Sequence, residues 1–306
     1  MRPETPLFTL AAFALAPLLL SVINRTKAFF AGRTGAPLLQ PYYDLWKLLR
    51  KGAVYSTTTT WVFRAGPMVG LAAVATAMLL TPSGNVGAAI GFPGDLVALA
   101  GLLALARMFT MLAALDTGSS FEGMGASREA RFSSLAEPAL FLALMVLVVV
   151  SGSLSLTGMM GAIAPAMWAT TAGPVLALAA AALFLVLLAE NARIPVDDPN
   201  THLELTMVHE VMVLDHSGPD LGYIMYGAAL KLWVFASLII GILLPVRTGV
   251  LLLDGGVFLA GMLVVAAIVG VVESSMARLR MRSVPNLLIG AGGLGALAVA
   301  LALVVG

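Results

Sequence analysis

Carboxylates and imidazoles held close together beside a bilayer can pass protons, and this chain gathers most of its own in one stretch. Glu190 to Asp220 reads ENARIPVDDPNTHLELTMVHEVMVLDHSGPD. It holds seven of the 16 acidic residues, one arginine and all three histidines, in a chain that is 60% hydrophobic. Charge is costly next to hydrocarbon and is kept there for a task. If the stretch is helical, Glu204, Val208, Val211 and Asp215 share one face, and Leu203, Met207, Glu210 and Leu214 share another. Glu210 is then expected amid apolar side chains, where a carboxylate has a raised pKa and can trade protons near neutrality. The alternative is that Glu210 reaches solvent or pairs with an arginine. His202, His209 and His216 recur every seven residues. Neighbours on such a helix stand about 10.5 Å apart, too far to share a metal. Solvated or hydrogen-bonded histidines are expected, with proton exchange as a lesser role and no metal site.

The backbone around these groups is punctuated. Pro195 and Pro199 interrupt any helix leaving the preceding apolar run. Asp198 followed by Pro199 suits an N-cap and a first helical position, which predicts a helix from about Pro199 to Leu214. Other charges lie at the edges of apolar runs or inside them. Glu137, Glu190 and Glu273 sit at span ends, Arg107 and Asp116 flank another end, and Lys231 falls within a span. A structural ion pair explains any one of these. A polar pathway into the bundle explains the set better.

The elements that must position these residues are membrane helices. A mean hydropathy of +0.99 and 11% charge place the chain in the polytopic membrane class. Apolar runs of spanning length occur at about Leu7–Ile23, Trp61–Leu80, Gly94–Leu115, Ser134–Leu156, Thr171–Ala189, Tyr223–Leu244, Leu251–Val272 and Val284–Gly306. Backbone polar groups in hydrocarbon need internal partners, so the runs should be helices. The expected fold is an all-α polytopic membrane protein. It is one integral domain over 1–306 with about eight transmembrane helices and short amphipathic helices in its cytoplasmic loops. The first run has a thin basic flank and no small-residue cleavage site, so it reads as a span that stays.

Lysine and arginine crowd into loops at about 24–60, 107–133, 190–222 and 276–284, with only Arg2 and Arg247 on the other side. The positive-inside rule makes those loops cytoplasmic and puts both termini outside, in a multi-pass protein of the cell inner (plasma) membrane. The acids follow the same side. A one-sided, mixed-sign surface suits docking of a cytoplasmic protein, although longer loops alone would also collect charge. Within the first loop, Tyr42, Leu45, Trp46 and Leu49 follow helical spacing against Asp44, Lys47, Arg50 and Lys51, which reads as an interfacial amphipathic helix. Gly290–Gly295 reads as close helix packing.

Several functions are excluded. The chain has no cysteine. It therefore cannot hold thiolate-ligated iron–sulfur clusters, a nickel–iron centre or disulfides itself. No phosphate-binding, dinucleotide, hydrolase-elbow or zincin motif is present. A net charge of +1 gives no reason to expect nucleic acid.

The loops carry a resemblance. Arg33-Thr-Gly-Ala-Pro37-Leu-Leu-Gln40, with Asp44 and Lys47, resembles the first cytoplasmic loop of the complex I membrane subunit that adjoins the quinone cavity. Gly125-Ala-Ser-Arg128-Glu129, with Glu137 further on, resembles its second loop. Ala189-Glu190-Asn-Ala-Arg193-Ile-Pro195-Val-Asp197, then Glu204-Leu205, resembles its third. Glu273-Ser-Ser-Met-Ala-Arg278-Leu-Arg280 resembles the segment before its last span. The stretch from Ile194 to Glu210 is more similar to the hydrogenase branch, that of formate-hydrogenlyase and hydrogenase-4 type membrane subunits. The quinone branch usually has a second glutamate where this chain has Met212, a departure from a quinone site.

This resemblance implies a membrane anchor subunit of an energy-converting nickel–iron hydrogenase or related oxidoreductase. Such a subunit binds no prosthetic group and has no catalytic residue. Its partners would be a hydrogenase-like large subunit, a small iron–sulfur subunit, antiporter-like membrane subunits and lipid. Redox chemistry in that arm would drive proton or sodium transfer. Glu204 and Glu210 would be coupling carboxylates, with Glu137, Glu190, Glu273, Asp197 and Lys231 along the polar path. Arg33, Gln40, Asp44, Lys47, Arg128, Arg193, Arg278 and Arg280 would dock the arm or order the loops. A quinone-chamber subunit of a complex I-type dehydrogenase is the alternative. A stand-alone secondary ion transporter is a second.

Overall fold

The computed structural model describes residues 4–197 and 207–305. Among them the chain runs α1 (Thr5–Phe30), α2 (Gln40–Leu49), α3 (Trp61–Leu80), α4 (Asp95–Asp116), α5 (Ser120–Ser151), α6 (Leu156–Ala162), α7 (Ala172–Glu190), α8 (Gly218–Leu243), α9 (Leu251–Ser275) and α10 (Val284–Val305). All except α2 and α6 are long and apolar enough to cross a membrane, so the eight expected spans are present. The short helix α6 and a 3-10 turn at Pro165–Ala169 were not expected.

The most buried span, α8, forms the axis of the bundle and packs on α1, α2, α3, α7 and α9. Its Trp233, Phe235 and Leu238 are almost wholly enclosed. Between helices in lipid the gain comes from close contact, because lipid tails are as apolar as leucine. The least buried span, α10, leans on α5 and α7. Gly295 meets Leu142 there, but Gly290, Gly292 and Gly293 face open space. The close packing expected along Gly290–Gly295 is therefore confined to its end.

Two expectations need correction. The fourth span begins at Ser120 instead of Ser134, so α5 has 32 residues. Glu122, Gly125, Ala126, Glu129, Phe132 and Ala136 are buried at helical spacing, which is why the helix persists outside the apolar run. Much of the expected loop 107–133 is thus helical, with a turn around Gly118 at a φ of 71°. The second correction concerns the helix expected from Pro199 to Leu214. Asp198, Pro199, His202 and Glu204 lie outside the described residues. The rest of that segment holds only a 3-10 turn at Glu210–Val213. The backbone N–H groups of Val208 and His209 donate to the Asp197 side chain at 3.1 and 3.0 Å. A side chain has taken donors that an α-helix would need.

The interfacial helix α2 lies across α1 and α8. The Tyr42 hydroxyl donates to the Ala14 carbonyl at 2.6 Å, and Ser21 Oγ donates to the Leu38 carbonyl at 2.5 Å. Gly222 of α8 faces Leu48. The segment leading into α2 meets α1 at Ser21 and α2 itself meets it at Ala14, so the last nine residues of α1 run about 13 Å beyond these contacts.

One contact fixes the loop above α5. A Cβ added to Gly125 would collide with Val211 and stand 2.9 Å from Met212 Cγ and 3.1 Å from the Val208 carbonyl. Gly125→Ala is expected to lift residues 207–213 from α5 at a cost of about 1–3 kcal/mol. Hydrogen exchange at those amides should rise while the spans stay protected. Unchanged exchange would show that the loop does not depend on this contact.

Candidate functional site

A buried charged centre is built where three spans deliver charge to one level. α4 brings Arg107, α7 ends on Glu190 and α8 carries Lys231. Arg107 Nη1 meets Glu190 Oε1 at 2.5 Å, and its Nη2 meets Glu137 Oε1 of α5 at 2.6 Å. Lys231 Nζ meets the other Glu190 oxygen at 2.8 Å. Side chains of Arg107 and Glu190 are only 5% and 4% exposed. Two acids and two bases alternate, so the set is neutral, which is what makes its burial tolerable.

A second group joins α1, α9 and the segment after α7. Glu273 receives Lys27 Nζ at 2.7 Å and Arg193 Nη1 at 3.4 Å. A third group centres on Asp197. Its carboxylate accepts from Arg278 Nη2 at 2.8 Å and from the two loop N–H groups, and His209 Nδ1 stands 3.5 Å from it. His209 Nε2 lies 3.3 Å from Glu129 Oε2 of α5. Arg128 donates to the Met207 carbonyl at 2.7 Å, and the Asp215 N–H donates to Glu122 at 3.2 Å. The Leu279 N–H donates to the Pro195 carbonyl at 2.9 Å, which ties the segment after α9 to this loop.

These groups surround one cavity of about 480 Å³. Its polar ceiling comprises Arg107, Glu129, Glu190, Arg193, His209 and Glu210, with Lys231 deeper. Its walls are apolar, from Gly66, Gly70 and Val74 of α3 and Leu221, Ile224 and Gly227 of α8. The arrangement can hold, exchange or relay protons along facing acids and bases. Among the described residues no three His, Asp or Glu side chains converge to hold a metal ion.

Environment sets the charges outside the spans. Burial pushes the His209 imidazole down, but the facing Glu129 and Asp197 carboxylates outweigh it and raise its pKa above the ordinary value. Burial pushes Asp197 up, yet hydrogen bonding from His209 and the charge of Arg278 hold it below the usual carboxylate range. Burial lowers Arg193, against the pull of Glu273. His216, stacked on Phe63 at 4.0 Å, is lowered by burial. Asp197 therefore stabilises the fold above its unfolded pKa, and loses that as pH falls through its depressed one. His209 stabilises below its unfolded pKa, and loses that as pH rises through its raised one. The ordinary values bound a window of about pH 4 to 6.5. Exchange at the Val208 and His209 amides, corrected for its intrinsic pH dependence, should be slowest inside that window and faster on both sides. A flat corrected profile would remove this pair as the loop's clasp.

Most of the expected residues converge. Glu137, Glu190, Glu273, Asp197, Lys231, Glu210, Arg128, Arg193 and Arg278 all line the cavity or hold its ceiling. Glu210 is half-buried beside Met212 and Val213. Glu204 lies outside the described residues. Gln40 and Asp44 bond to each other at 2.9 Å within α2, away from the cavity, while Arg33, Lys47 and Arg280 are exposed. His202 lies outside the described residues, and His209 and His216 share no helix: one precedes and the other follows the 3-10 turn at Glu210–Val213.

Sequence reasoning undervalued Arg107, Glu129, Lys27 and His209. Arg107 had a signal, as a lone cation within an apolar run. Lys27 had none, because its partner is 246 positions away along the chain.

Three comparisons bear on this geometry. A family described as NADH dehydrogenase matches residues 5–305. Formate hydrogenlyase subunit 4 of Escherichia coli (strain K12) is 34% identical over 284 residues, covering 91% of each chain. Hydrogenase-4 component C of the same organism is 32% identical over 270 residues, covering 86% of this chain and 84% of its own. Among solved structures, a chain of the membrane-bound sulfane sulfur reductase, an archaeal respiratory membrane complex, superposes with a TM-score of 0.82. That match covers 98% of both chains at 21% identity, a likeness of fold.

Proposed function

Because the chain belongs to the NADH dehydrogenase family of complex I-type membrane subunits, we propose that it anchors a peripheral redox arm and couples that arm's chemistry to ion movement. It is a membrane anchor subunit of the hydrogenase type, as its similarity to the formate hydrogenlyase and hydrogenase-4 subunits along most of their length supports. The redox centres sit on partner subunits: iron–sulfur clusters, with or without a nickel–iron site. Antiporter-like membrane subunits complete the path. The protein lies in the inner membrane with its charged loops cytoplasmic.

One observation carries the reading. The loop carboxylate Asp197 connects through His209 and Glu129 to a cavity that also exposes Glu190 and Lys231 inside the bundle. A push on the loop changes which acids and bases face one another, and so changes where a proton rests. The apolar walls of that cavity favour a second reading, in which a quinone-like lipid occupies it. Unbroken spans with charge gathered at one end weigh against a stand-alone transporter, which needs broken helices near the midplane.

The test is to purify the complex by a tag on this chain and identify what accompanies it. Iron–sulfur and hydrogenase-like large subunits are expected. A lone chain that transports ions by itself would refute the anchor reading. Within the assembled complex, Glu210→Gln should lower ion-coupled turnover about a hundredfold or more, the order of effect seen when a proton-transfer group is lost. Full coupled activity in that variant would take Glu210 out of the mechanism.

A further inference from the structure

The projecting end of α1 carries an open basic cleft of about 880 Å³, separate from the cavity. Lys27 and Arg33 supply its charge, while Asn24, Thr34 and Ser274 give it a polar rim. Arg25 packs against Gly35 at its edge. Arg33 is exposed and makes no ion pair among the described residues. Lys27, by contrast, is held by Glu273 at 2.7 Å. The same carboxylate takes Arg193 at 3.4 Å, and Arg193 lines the cavity. One carboxylate thus serves both spaces.

The local charge count is unbalanced. Lys27 and Arg193 share a single acid, and Arg33 adds a further positive charge. Lys27 lies six residues beyond Ser21, about 9 Å past the point where the segment before α2 touches α1. Phe29 and Phe30 beside the cleft are 78% and 58% exposed. Exposed aromatics ringed by charge mark a protein contact.

We propose that this cleft is the socket for an acidic polypeptide segment of the peripheral arm, whose carboxylates take Lys27 and Arg33 and leave Glu273 to Arg193. The proposal rests on the anchor reading above and deepens it. The Arg193–Glu273 contact is longer than the roughly 2.7–2.9 Å usual for charged pairs, so it has room to tighten when Lys27 turns away. Docking in the cleft then draws the cavity ceiling toward α9. Seating the arm and resetting the charged site become one event.

The chain lacks cysteine, so Thr34→Cys places a single thiol of this chain on the cleft rim. A benzophenone maleimide at that thiol, irradiated in the tagged, detergent-solubilised complex, is expected to cross-link an Asp- or Glu-rich segment of a peripheral subunit. Arg33→Glu should cut retention of the arm at raised salt several-fold. Acid-to-lysine changes in the cross-linked segment should restore it. Cross-links only to lipid, or only to membrane subunits, while the arm co-purifies would overturn the socket and leave the anchor reading standing. Unchanged retention in Arg33→Glu would do the same. A purified complex with no arm at all would instead sink the anchor reading itself.

Discussion

Glu190→Leu is expected to abolish accumulation of the folded chain. Glu190 is the acid between Arg107 and Lys231, at 2.5 and 2.8 Å, and its side chain is 4% exposed. Without it Arg107 keeps only Glu137, and Lys231 has no other ion-pair partner among the described residues. Stranding a buried charge costs about 3–5 kcal/mol. That is a large share of the roughly 5–15 kcal/mol that holds a typical domain together. Size-exclusion chromatography of a fluorescent fusion would show the monodisperse peak collapse. The double change Glu190→Leu with Lys231→Leu should recover part of it, since removing both charges of a buried pair is far less costly than removing one. A single variant as stable as the parent would mean that water reaches Lys231 and that the site is not closed.

Asp197→Ala should detach the loop while sparing the bundle. The 2% exposed carboxylate accepts from Arg278 and from two backbone amides, and faces the His209 ring at 3.5 Å. The two backbone amides lose their acceptor in the variant. A local loss of about 3 kcal/mol corresponds to roughly hundredfold faster exchange at 207–213. Helical content should be unchanged, and ion-coupled turnover should fall with the loop. Asp197→Asn keeps the shape and some of the hydrogen bonds, so it should sit between. If Asp197→Ala exchanges like the parent, the loop is held from elsewhere.

The spans were legible because length and composition alone decide them in a bilayer. Trp61–Leu80 coincides with α3. Glu190, Glu273 and Lys231 stood out because a charge against an apolar background is conspicuous. What could not be read were the partnerships. Nothing local links Lys27 to Glu273, or Arg107 to both Glu137 and Glu190. The start of α5 was misplaced because hydropathy marks where lipid ends, not where a helix ends. The segment 207–214 was read as a helix because its spacing permits one. In the fold, Asp197 claims its amides first. That competition depends on a tertiary position no periodicity reveals.

The length of α5 has a mechanical meaning. Its 32 residues measure about 48 Å, against a hydrocarbon layer of about 30 Å. The overhang bears Glu122, Gly125, Arg128 and Glu129, each gripping the loop that closes the cavity. Pro138, where the helix enters the apolar layer, removes one rung of the backbone ladder. A push on the overhang would bend α5 at that missing rung. Glu137, one residue from it and paired with Arg107, would carry the bend to the buried charges.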